Sequence, residues 1–208
     1  MQYLISILIG YILGSIPTAF LIMKKKGIDI TAAGSGNVGA MNTYEVSKSK
    51  LTGFIVFAVD FLKGLLSVLI LKWIYPNEFI FPSIAILFAV LSHCFNPWIN
   101  FKGGRGLATA AGGTIILFPY LLFSWIMIWI ISYLYKKDIL LSNILATPLS
   151  LFIILGKPEL AFKYVFPQPK SIEAMILFSI AGLVIIFIKH IEPLKEIIQT
   201  YQSKGLTK

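Results

Sequence analysis

Two short segments hold most of the residues able to do chemistry. Gly34-Ser35-Gly36-Asn37-Val38-Gly39 alternates glycine with small polar side chains, and Asn42 follows close behind. Glycine tolerates positive φ and close approach, so successive backbone N–H groups in such a segment can turn inward as a nest for an anion. Ser35, Asn37 and Asn42 add neutral hydrogen-bonding groups. Lys102-Gly103-Gly104-Arg105-Gly106 sets two cations among three permissive backbone positions just before an apolar run, a second arrangement suited to phosphate. Alone, the first reads equally as a connecting loop and the second as a tight turn in a basic cluster. On one face of one molecule they predict an anionic substrate.

The first segment also matches G-x-G-x-x-G, and Asp60 stands where a ribose-binding acid would be sought. A dinucleotide site requires a βαβ unit, however, and Asp60 lies inside an unbroken apolar run. Asp60 and Lys63 are three residues apart, so on a helix they share a face and can pair, either as functional groups or as a lock between helices. His93 reads as a packing histidine, whereas His190 follows the last apolar run on the same face as the glycine segments. Two histidines and few loop carboxylates predict no metal site. The single Cys94 excludes an internal disulfide. Without a Ser-His-Asp order, a nucleophile elbow or a reactive cysteine context, covalent catalysis is not expected.

These groups must be positioned by elements that live in lipid. Of 208 residues 57% are hydrophobic and 13% charged, and the mean hydropathy is +0.84, too little polar surface to coat a water-soluble globule. A net charge of +9 would suggest nucleic acid in a soluble protein, but membrane loops collect lysine for topological reasons, so nucleic acid is excluded as a partner and lipid expected. Apolar runs of membrane length occur at residues 3–23, 51–75, 79–98, 140–155 and 171–188. The first lacks a basic n-region and reads as a retained span. Residues 107–135 are too long for one upright helix, and Pro119 offers a break, giving about seven transmembrane helices in one all-α domain over residues 1–208. With the N-terminus outside and the C-terminus cytoplasmic, thirteen of the 18 Lys and Arg residues fall inside. Only Lys157, Lys163 and Lys170 fall outside, with Lys63 and Lys72 in the second span. Residues 156–170 predict a loop with no sustained apolar period. The charged tail from Lys189 predicts an interfacial helix.

In order and spacing, the motifs at residues 34–42, 60–64 and 101–106, with Ser142 opening the sixth span, resemble the bacterial acyl-phosphate-dependent glycerol-3-phosphate acyltransferases over nearly the whole chain. The resemblance implies a seven-helix enzyme of the bacterial cytoplasmic membrane that needs no cofactor. It would move an acyl group from acyl phosphate to glycerol 3-phosphate, giving lysophosphatidic acid, without an acyl-enzyme. It also implies that Ser35, Gly36, Asn37, Gly39 and Asn42 surround the acyl phosphate. Lys102, Arg105 and His190 would hold phosphates, Ser142 would complete the pocket, and Gly34, Gly103 and Gly104 would join the binding loops. Of these, Ser35, Asn37, Lys102, Arg105 and His190 are the expected catalytic set.

The chain departs from that pattern where threonine becomes Met41, arginine becomes Glu45, lysine becomes Arg105, glycine becomes Ser92, and His-Arg-x-Asn becomes His190-Ile191-Glu192-Pro193. The donor side is thus better kept than the acceptor clamp, which implies an altered acceptor or weak use of glycerol 3-phosphate. Two other readings compete: a small anion or lipid transporter using Asp60 and Lys63, and an inactive lipid-binding relative. A transporter would place its polar groups near the midplane, whereas these lie at one edge, and no internal repeat is visible.

Overall fold

A computed structural model describes residues 1–205, and every regular element among them is helical. In chain order these are α1 Gln2–Gly14, α2 Thr18–Lys25, α3 Ala40–Ser47, α4 Lys50–Ile74 and α5 Ile80–Cys94, followed by α6 Leu107–Leu117, α7 Pro119–Lys136, α8 Ile139–Gly156, α9 Pro158–Phe162, α10 Ile172–Ile188 and α11 Ile191–Gly205. Several starts follow from local chemistry. Ser49, Asp138 and Ser171 each stand just before a long apolar helix and accept first-turn N–H groups through their side-chain oxygens. Pro17 separates α1 from α2, because proline lacks the N–H that would continue the helix.

Four stretches are long and apolar enough to cross a bilayer: Gln2–Lys25, Lys50–Ile74, Ile80–Ile99 and Ile139–Gly156. A fifth is reached if Ile172–Ile188 and Ile191–Gln199, which meet at a 51° bend, are taken as one span. The protein is therefore a multi-pass membrane protein. The remaining apolar stretch does break at Pro119, which takes the first-turn position of α7 where a missing N–H costs nothing.

The first half of that stretch, α6, has 11 residues and rises about 16 Å, roughly half the hydrocarbon thickness. It nevertheless reaches the far end of the bundle because it starts deep. Gly64 of α4 packs on the backbone of Thr109, and Gly113 lies against Val68, so α6 begins halfway along α4 and runs parallel to it. Glycine permits this approach, since a Cβ at Gly64 or Gly112 would overlap the neighbouring backbone. At its far end Leu117 accepts the Phe166 N–H at 2.9 Å, and Lys72 Nζ donates to the Phe166 carbonyl at 3.1 Å.

The two ends of the bundle differ. The end that holds Tyr3, Tyr75 and Phe81 in ring contact, with Leu117 and Phe166, carries the N-terminus. The loops 27–39 and 95–106 and His190 gather at the other. One expectation is corrected: residues 156–170 are not all loop, because Pro158 starts the short α9 from a first-turn position that proline favours.

Candidate active site

Asn42 organises the first loop. Its Oδ1 accepts the Ser35 N–H at 3.0 Å, and its Nδ2 donates to the carbonyls of Ala33 and Asn37, each at 3.0 Å. Gly34 and Gly36 adopt φ of 60° and 68°, which the turn requires. The loop ends on extended backbone at Gly39, and α3 starts there without a side-chain cap. The opening N–H groups of α3 are thus left without the side-chain acceptor that usually receives them.

The second loop is built on Asn96 and His93. Asn96 donates its N–H to the Lys102 carbonyl at 3.1 Å, accepts the Phe101 N–H at 2.8 Å, and anchors its amide to the Ser15 carbonyl at 2.8 Å. Gly104 donates to the His93 carbonyl at 3.2 Å, and Val38 of the first loop donates to the Gly103 carbonyl at 3.3 Å. A side chain at Gly104 would run into the His93 ring. Gly106, at φ 84°, opens α6, again without a side-chain cap.

Both uncapped helix starts border one cavity of about 690 Å³. Asn37, Gly39, Arg105 and Gly106 form its polar mouth, with Asp60 and His93 in the wall behind them. Deeper, it is walled by apolar and aromatic side chains of α5, α6, α7 and α10. Trp125 and Trp129 stand on one side, their indole N–H groups donating to Thr147 at 3.3 Å and Asn143 at 2.8 Å. Burial pulls the Arg105 guanidinium below its ordinary range while Glu196 and Glu45 push it back up, and it remains a cation at neutral pH.

Behind the wall lies a buried ion pair. Lys63 Nζ is 2.9 Å from Asp60 Oδ1 and donates to the Ile16 carbonyl at 3.1 Å, next to the break between α1 and α2. His93 Nδ1 stands 3.8 Å from the same carboxylate oxygen.

The expected site residues are not all at the mouth. Asn37, Gly39 and Arg105 line the cavity, whereas Ser35 and Lys102 are exposed and do not line it. Gly34 and Gly36 shape the loop, Gly103 and Gly104 are buried under it, and Asn42 is fully engaged in holding it. Ser142 is buried off the cavity, its hydroxyl donating to the Asp138 carbonyl at 2.6 Å. His190 is fully buried with Nδ1 2.9 Å from the Ile186 carbonyl and Nε2 unpaired among the described residues. Burial holds its pKa below the ordinary histidine range, with nearby Arg105 acting in the same direction and the Ile186 bond opposing. Asp60, His93 and the two tryptophans were not expected in the cavity. Their positions on apolar runs gave no hint of which helix face would line it.

Together the bundle and the cavity define an integral membrane protein with a buried cavity that is polar at its mouth and apolar inside. The chain belongs to the glycerol-3-phosphate acyltransferase family, whose model matches residues 4–200. It is 36% identical over 207 residues to a glycerol-3-phosphate acyltransferase of Pelagibacter ubique, covering 98% of each chain. It is 34% identical over 155 residues to glycerol-3-phosphate acyltransferase 2 of Moorella thermoacetica, covering 74% of this chain and 78% of that one. Its fold matches the crystal structure of PlsY, an integral membrane glycerol 3-phosphate acyltransferase, in its glycerol 3-phosphate form. The TM-score is 0.80 at 28% identity, over 96% of this chain and 94% of that chain. The lysophosphatidic acid form of PlsY matches with a TM-score of 0.78 at 28% identity, over 96% and 93%.

Proposed function

We propose that this protein transfers a fatty acyl group from acyl phosphate to glycerol 3-phosphate, giving lysophosphatidic acid and inorganic phosphate. The acceptor hydroxyl oxygen forms the new ester bond to the acyl carbonyl carbon. The bond from that carbon to the bridging phosphate oxygen breaks with its electron pair, and the hydroxyl proton leaves with the phosphate. The observation that carries this reading is the convergence of the α3 and α6 starts with Arg105 on the mouth of an apolar cavity. Free N–H groups at helix starts and a guanidinium suit a phosphate, and the apolar interior suits its tail.

Direct attack accords with the absence of a cysteine or serine among the mouth residues Asn37, Gly39, Arg105 and Gly106. Catalysis then rests on positioning and on stabilising charge that develops on the carbonyl and phosphate oxygens. Exposed Ser35 and Lys102 would meet the acceptor, and buried His190 would act from behind Arg105. In this reading residues 1–208 work as one unit in the bacterial inner membrane, with the N-terminus outside and the site at the cytoplasmic face.

The test is turnover by the purified protein in lipid nanodiscs, given palmitoyl phosphate or a palmitoyl thioester together with glycerol 3-phosphate. Lysophosphatidic acid and phosphate should form in equal amounts from the acyl phosphate alone, and Arg105→Ala should lose about a hundredfold in kcat/KM. Product from the thioester, or none from acyl phosphate, would overturn the reading.

A further inference from the structure

The geometry points to Phe178 and Gly182 as the residues that set how much of a saturated hydrocarbon chain the cavity holds straight. This rests on the acyl-transfer reading for the identity of the ligand, and on the cavity itself for everything else. On α10, Ile186, Gly182 and Phe178 line the cavity on successive turns. Ile186 lies beside Gly106 at the mouth. Eight residues back along α10, Phe178 lies about 12 Å deeper, and on α5 the seven residues from His93 to Ile86 span about 10 Å. Phe178 and Ile86 are 6% and 2% exposed and are the lining residues of α10 and α5 farthest from the mouth.

That floor is rigid. The Phe178 ring meets Phe79 edge-on at 5.6 Å and 83°, within the same core as fully buried Leu117, Phe118 and Met175. A close-packed core of this kind does not yield to a ligand without loss of contacts. Gly182 does the opposite: a Cβ there would meet only Leu87 Cδ2, at an ordinary 3.5 Å, so the missing side chain keeps the middle of the cavity open.

A saturated chain of 1.52 Å bonds at tetrahedral angles advances about 1.3 Å per carbon, so roughly eight to ten carbons reach Phe178. Longer chains must turn aside. Carbons beyond the floor then exchange one apolar surrounding for another and no longer distinguish one ligand from the next.

Binding of unreactive monoalkyl phosphates of 4 to 18 carbons tests this in nanodiscs, read by tryptophan fluorescence in a Trp73→Phe, Trp98→Phe background that leaves Trp125 and Trp129 at the cavity, for the otherwise wild-type protein, Gly182→Leu, Phe178→Ala and the milder Phe178→Leu. The ratio of mutant to wild-type affinity cancels partition into the bilayer. For Gly182→Leu it should stay near one at four carbons and fall about tenfold for ten and more, the worth of a displaced methylene in an apolar pocket. For the Phe178 variants it should stay near one through about eight carbons and rise about threefold beyond, as the floor recedes. Ratios that do not vary with chain length in any variant would overturn the proposal. A break in the ratios with no turnover from acyl phosphate would uphold the chain ruler and overturn the acyl-transfer reading instead.

Discussion

Val38 donates its N–H to the Gly103 carbonyl at 3.3 Å, so the two glycine loops form one continuous backbone surface. Gly104 sits directly under that junction, where an added Cβ would strike the His93 ring and come within 3.0 Å of the Val38 carbonyl. Gly104→Ala must therefore push the loops apart or tilt the histidine. Where catalysis rests on positioning, as proposed above, a shift of about 1 Å costs on the order of a hundredfold. The expected result is that loss in kcat/KM with a thermal midpoint within a few degrees of wild type, measured on the same sample. Full activity in Gly104→Ala would show that the loops need not touch.

The Asp60–Lys63 pair makes a second prediction. Both residues are 3% exposed, and removing one partner leaves the other charged without its counter-ion in an apolar helix bundle. Such a break costs about 3–5 kcal/mol, whereas removing both charges together is often close to neutral. Asp60→Asn and Lys63→Met should each lower the unfolding midpoint strongly, and the double variant should recover most of the loss. Additive losses in the double-mutant cycle would mean that the two charges stabilise separate neighbours, Lys63 through the Ile16 carbonyl and Asp60 through His93.

How much of this could be read from residue types alone follows from where each signal lies. The long apolar runs, the break at Pro119 and the pairing of Asp60 with Lys63 are local, and each recurs in the structure. The glycine loops are legible as segments of positive φ and close backbone approach, because glycine spacing is itself the physical requirement. The cavity is not, since Trp125, Trp129 and Phe178 sit on helices that are apolar all round and reveal no inward face. The family resemblance places Asn42 and Ser142 in the substrate pocket. In the fold the loop backbone holds the Asn42 amide and the α8 start holds the Ser142 hydroxyl, pairings between a side chain and distant or preceding backbone that residue types do not reveal.

His190 ties stability to pH. Its folded pKa lies below the ordinary value, so the folded protein binds fewer protons than the unfolded chain in the window between the two. Stability rises with pH through that window, is fully present above the unfolded value of about 6.5, and is lost as pH falls toward the folded one. Protonation would also place a second cation near Arg105. Thermal midpoints in nanodiscs should drop as pH falls below about 6.5 in the wild type and drop less in His190→Gln, which cannot charge. An equal acid slope in both proteins would assign the effect to other groups.

The last prediction concerns Glu45, which is exposed on α3 and close enough to raise the pKa of Arg105. An anion that favours protonated Arg105 also opposes an anionic acceptor approaching the same guanidinium. The conflict is electrostatic and solvent-screened, so it should act on binding more than on the chemical step. Glu45→Gln removes the repulsion, and Glu45→Arg replaces it with attraction. Each unit of charge at an exposed position is worth at most about 1 kcal/mol, or roughly fivefold. The KM for glycerol 3-phosphate should therefore fall about fivefold or less in Glu45→Gln and further in Glu45→Arg, with kcat nearly unchanged. Raising ionic strength from about 20 to 200 mM shortens the screening length and should shrink the difference among the three proteins. If KM for glycerol 3-phosphate is the same in all three at both salt concentrations, the acceptor phosphate binds away from Glu45, and Arg105 serves the donor alone.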